Sequence, residues 1–77
     1  MATFSVRIMK NGEPLEGAEV IVGELLYAEA TAADGIVTAD LERTTPAAVQ
    51  VTVNGSGFAF GGGPFTLRPN VELVIEV

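Results

Sequence analysis

The sequence contains no cysteine, no histidine and no tryptophan. Without cysteine there is no disulfide scaffold, no redox dithiol and no thiolate nucleophile. Without histidine the usual zinc sites, the Ser-His and Cys-His pairs and the commonest general base are missing. Cations are scarce as well: four Lys+Arg stand against ten Asp+Glu, for a formal charge of −6. Such a balance does not attract DNA, RNA or an anionic membrane, so no nucleic-acid partner is expected. Long apolar runs are also lacking. Val20-Ile21-Val22 and Leu25-Leu26-Tyr27-Ala28 fall far short of the roughly 20 residues a membrane helix needs, and no membrane insertion is expected. Met1 leads straight into Ala2-Thr3-Phe4-Ser5-Val6 with no signal-peptide pattern. That fits a protein used without secretion, or a mature domain behind a new methionine.

What is present is 77 residues of which 48% are hydrophobic and 18% charged, too apolar for a disordered tail and enough for one domain over residues 1–77. Phe4, Val6 and Ile8 alternate with Thr3, Ser5 and Arg7, the period of a half-buried strand. Lys10-Asn11-Gly12-Glu13-Pro14 ends it, and Asn-Gly favours a tight hairpin because both residues tolerate positive φ. A second strand is expected over Gly17–Val22. Leu25–Ala32 has helix-favouring Leu, Ala and Glu, but it is short, lacks an N-cap and lies between β-type segments, so a strand is expected. Asp34-Gly35 predicts a second hairpin, with Ile36–Leu41 as its returning strand. Val49, Val51 and Val53 alternate next, the glycine-rich passage Gly55–Pro64 interrupts, Phe65-Thr66-Leu67 forms a short strand, and Val71, Leu73, Ile75 and Val77 close the chain. About seven short, evenly spaced strands predict an all-β fold, a small Greek-key β-sandwich or barrel. Val6, Ile8, Val20, Val22, Val51, Val53, Leu73 and Ile75 are its expected core.

One resemblance covers most of the chain. Gly12-Glu13-Pro14-Leu15-Glu16-Gly17-Ala18-Glu19-Val20 resembles the opening motif of the carboxypeptidase-regulatory-like and transthyretin-like β-sandwich domains. Thr31-Ala32-Ala33-Asp34-Gly35-Ile36-Val37 is similar to their Asp-Gly hairpin, and Val51–Phe58 to a later strand running into a Gly-aromatic corner. Thr45-Pro46-Ala47-Ala48 departs from the family's Pro-Gly-x-Tyr segment, and Gly61-Gly62-Gly63 has no counterpart. The resemblance implies an Ig-like or transthyretin-like sandwich and a broadly non-catalytic accessory, adhesive or structural role.

Candidate sites are few. Asp34, Asp40 and Glu42 flank one expected hairpin and could offer oxygens to Ca²⁺, but no spaced run of acidic ligands exists, and a turn aspartate with solvated strand-end charges is the simpler reading. Glu13, Glu16, Glu19, Glu24 and Glu29 read as a solubilising face, or as a surface for a basic partner. Ser56 lies between glycines with no histidine to activate it, and Lys10 is the only lysine. Gly55-x-Gly57 lacks the lysine and helix of a phosphate loop. Paired carboxylates could do acid–base work, but so short a chain has little room for a cleft as well as a core. No catalytic residue, cofactor or metal is expected, and the chain is read as a non-enzyme.

Association is expected instead. A core of this size supplies only a few kcal/mol, and small domains without disulfides or metals often lean on partners. Leu25, Leu26, Tyr27, Ala28 and Ala30 form one candidate interface, with Ala28, Ala30 and Ala32 allowing close approach. Phe58, Phe60 and Phe65 form another if the glycine passage is a mobile loop, although a core role for these aromatics outweighs it. The expected function is a structural or interaction module that assembles with itself or decorates a larger particle, such as a phage virion, or a cell surface. The alternative is a ligand-binding accessory domain of a secreted protein, for example one that binds carbohydrate.

Overall fold

The computed structural model describes residues 2–23, 27–55 and 57–77, and for Tyr27 and Ala28 the backbone alone. Eight strands follow in chain order: β1 (Ala2–Lys10), β2 (Glu13–Pro14), β3 (Glu19–Val22), β4 (Tyr27–Ala30), β5 (Ile36–Leu41), β6 (Ala47–Gly55), β7 (Phe58–Leu67) and β8 (Glu72–Glu76). The described residues contain no helix. The architecture is all-β and sandwich-like, with one strand more than the sequence suggests because the hairpin arm β2 is only two residues long.

β1 is the axis of the first sheet. It pairs antiparallel with β5 from Ala2 to Arg7 and with β2 at its end, while β8 runs parallel to it on the other side. The second sheet is antiparallel throughout, in the order β4-β3-β6-β7. Alternation along each strand directs one set of side chains between the sheets. Phe4, Val6 and Ile8 of β1 meet Val20 and Val22 of β3 and Val49, Val51 and Val53 of β6, all fully buried, with Val37, Leu67 and Ile75 completing the core. Of the expected core residues only Leu73 departs, half-buried at the rim because β8 is an outermost strand.

Asn11 and Gly12 both adopt positive φ, 54° and 79°, and Lys10 pairs with Glu13, so the first hairpin is the tight two-residue turn expected. Asp34-Gly35 is not a hairpin. It carries the chain from β4 in one sheet to β5 in the other, where β5 pairs with β1 and not with β4. Only Gly35 has positive φ there, and Asp34 Oδ1 accepts a hydrogen bond from the Ile36 N–H (3.0 Å), a local turn that redirects the chain.

The glycine-rich passage is likewise no loop. Phe58 to Leu67 is one continuous strand against β6, interrupted only by a bulge in which Gly63 and Pro64 lie opposite Gln50. Glycine is required at that point: Gly63 has φ 137°, and a Cβ on it would stand 2.8 Å from the Val49 carbonyl oxygen. Ladder hydrogen bonds use the backbone alone, so side-chain-poor residues can hold a strand when a long partner such as β6 templates it.

Candidate functional site

Two buried fastenings involve the segments that carry the family resemblance. Thr31, 4% exposed, is a buried polar residue just after β4. Its Oγ1 accepts from the Ala18 N–H (3.0 Å) and donates to the Leu15 carbonyl, while its own N–H donates to the Ala18 carbonyl (2.9 Å) and its carbonyl accepts from the Gly17 N–H (2.9 Å). Gly35 supplies the second. Its carbonyl accepts from the Ile8 N–H (2.8 Å), and a Cβ on it would fall 2.6 Å from the Ile8 carbonyl oxygen. The threonine of the Thr31–Val37 motif thus secures the Gly12–Val20 motif to the end of β4, and the glycine secures its own motif to β1. Both are structural joints.

Asp34 and Asp40 do not come together. Asp34 and Asp40 lie at opposite ends of β5, with Asp34 engaged in its turn and Asp40 Oδ1 accepting from Thr3 Oγ1 (2.7 Å). Among the described residues no group of acidic side chains is placed to hold a metal ion. Glu13, Glu16, Glu19 and Glu29 are exposed, in keeping with a solvated face. Glu24 and Ser56 lie outside the described residues.

The two candidate interface segments come to opposite edges of one sheet. β4 bounds the second sheet on one side and β7 on the other, with β3 and β6 between them, a span of roughly 14 Å at ordinary strand spacing. They cannot form one continuous site. Leu25 and Leu26 lie outside the described residues. Tyr27 and Ala28 belong to β4 by backbone register, opposite Val22 and Ile21. Ala30 is exposed and pairs with Glu19, on the outer face of the sheet. Glu29 pairs with the buried Val20 and so shares the inward face, yet it is exposed. An inward-facing charge on an outermost strand hinders indiscriminate pairing there.

Phe58, Phe60 and Phe65 are half-buried and pack against the core from β7. The Phe58 ring lies where a Cβ on Gly55 would stand, and Lys10 Nζ sits 4.3 Å from the ring centroid. A cation over an aromatic face closes that end of the sandwich. The aromatics are therefore rim residues of the core rather than side chains on a mobile loop.

Sequence reasoning expected the β8 strand but overlooked its outer side. Val71 and Val74 are 53% and 55% exposed, the most exposed of the large hydrophobic residues among the described ones. Val74 falls on the outer face between Glu72 and Glu76, and Glu72 Oε1 lies 2.9 Å from Arg7 Nε on β1, close enough for ion pairing although off the direction needed for a hydrogen bond. The strict alternation of Val71–Val77 shows this strand, but not that its outer side is free.

Comparison with protein-family models, with characterised proteins and with solved structures finds no match to the chain.

Proposed function

We propose that the chain is a non-enzymatic structural or interaction module, a small Greek-key, Ig-like sandwich of the carboxypeptidase-regulatory-like and transthyretin-like kind, which assembles with identical copies or decorates a larger particle or surface such as a phage virion. The family part of this reading draws support from the fastening at Thr31: it gives the two motifs a shared physical purpose, since Thr31 of one supplies the partner groups of Leu15, Gly17 and Ala18 of the other. The single observation behind the interaction role is β4 at the margin of the second sheet. Its far side has no strand partner among the described residues, and Ala30 leaves a small, exposed surface beside it. Unpaired edge groups of that kind are templates for another chain, and Glu29 restricts which chain fits. The carbohydrate-binding alternative gains nothing from Phe58, Phe60 and Phe65, which lean on the core and form no open platform.

Sedimentation velocity at high micromolar concentration tests the role. The wild type should sediment as an oligomer, or capture its particle, and Ala30→Lys should sediment as a folded monomer. An exposed substitution of this sort changes stability by only about 0.5 kcal/mol. A wild type that is monomeric and binds no particle in its native source refutes the reading.

A further inference from the structure

The outer side of β8 has the features of a receptor for one more strand. The Val77 N–H donates to the Met9 carbonyl (2.8 Å), which sets the phase of the parallel ladder with β1. In that phase Leu73, Ile75 and Val77 direct their backbone groups toward β1, and Glu72, Val74 and Glu76 direct theirs away from it. No backbone partner meets those outward groups among the described residues. β8 also lacks the devices seen at the margins of the second sheet: β7 has its Gly63-Pro64 bulge and β4 its inward-facing Glu29.

Side chains define what fits. On the outer face, Glu72 and Glu76 flank the exposed Val74, and Arg7 offsets Glu72 alone. On the inner face β8 comes against β7, and Phe60 and Phe65 of β7, Leu73 of β8 and the following Val77 are all only part buried against the core. An identical copy is a poor occupant, because antiparallel self-pairing centred on Val74 sets Glu72 against Glu76 of the other chain, and like charges directly opposed are destabilising.

We propose that the β8 edge binds an extended segment of another protein that alternates basic and apolar residues, adding a strand to the first sheet. Its basic side chains lie on the outer face along Glu72 and Glu76, with their aliphatic stems over Val74. Its apolar side chains lie on the inner face, where β8 comes against β7. The chain's net charge of −6 draws such a segment in, so binding weakens as salt rises. This surface is separate from β4, and its occupation is independent of self-association there.

The test uses a short synthetic peptide of alternating Lys and Val, with an alternating Glu and Val peptide as control, read by backbone amide hydrogen exchange of the intact domain. The Lys–Val peptide should slow exchange at the Val74 and Glu76 amides, and the Glu–Val peptide should not. Val74→Pro removes an outward N–H that no internal bond uses, and should abolish the protection. Glu76→Lys turns one exposed attraction into repulsion and should weaken binding by about three- to tenfold; it decides the matter by itself if the proline variant does not fold. Protection that appears at Tyr27–Ala30 instead, that persists in both variants, or that is equal for the two peptides overturns the proposal.

Discussion

Replacing Thr31 by valine keeps the volume and β-branching of the side chain while removing its hydroxyl. Two interactions disappear together: the buried bond accepted from Ala18 N–H and the part-buried bond donated to the Leu15 carbonyl. Ala18 is 1% exposed, so its N–H finds no water in compensation. Leaving such a donor unpaired costs about 1–3 kcal/mol. Leu15 is only part buried, so its carbonyl is partly rehydrated and adds less. The added methyl returns up to about 0.8 kcal/mol. The net expectation is a destabilisation of about 2 kcal/mol, equivalent in a domain of this size to a thermal midpoint lowered on the order of 8–16 °C. Thr31→Ser retains both bonds and loses one methyl, so it should cost less than about 1 kcal/mol. Urea denaturation at unchanged m-value measures both variants. Amide exchange at Ala18 should also accelerate in the valine variant alone. A valine variant as stable as the wild type, or more stable than the serine variant, refutes the fastening.

Gly35→Ala should be far more harmful than Gly12→Ala: both residues have positive φ, but a Cβ at Gly35 meets the Ile8 carbonyl oxygen while the space at Gly12 is open. The first should cost about 2–4 kcal/mol and the second about 1–2, compared by denaturant midpoint. Val51→Ala, in the middle of the core, should cost about 2–3 kcal/mol through lost transfer energy and a small cavity, and an unchanged midpoint would show that this face of β6 is not interior.

The strands were legible where local pattern decides. Phe4-Ser5-Val6-Arg7-Ile8 and Val49–Val53 alternate because one face is buried, and Asn11-Gly12 supplies the two positive φ values its turn requires. Reading failed where the outcome depends on which strand waits on the other side. Asp34-Gly35 has the same local chemistry whether it folds a strand back beside its predecessor or sends it to the opposite sheet; β1, whose Ile8 bonds to Gly35, settles it. Gly61-Gly62-Gly63 has loop composition, yet β6 supplies a ladder that needs no side chains. Margins are still less legible, because an outermost position is a property of sheet order. Leu25–Ala32 contains β4, which is indeed outermost, whereas another margin falls at β8, where the alternation resembles that of the enclosed β1.

The fold also bears on what association can mean. The radius of gyration is 11.4 Å, against about 11.5 Å expected for a self-contained domain of this length. Phe4, Val6, Ile8, Val20, Val22, Val51 and Val53 are fully buried within the one chain, so a partner does not complete the core. Partners instead meet sheet margins, where the groups at stake are backbone donors and acceptors already solvated in the free domain. Stability and association should then separate. Val51 lies on the inner face of β6, and Ala30 on the outer face of β4, with β3 between those strands. Val51→Ala should lower the denaturation midpoint of Ala30→Lys by as much as it lowers that of the wild-type monomer, within about 0.5 kcal/mol, the additivity of sites without shared partners. Marked coupling between the two substitutions at concentrations where both proteins are monomeric would mean that the β4 margin helps to hold the core, and that its exposed alanine is part of the fold rather than a surface left for another chain.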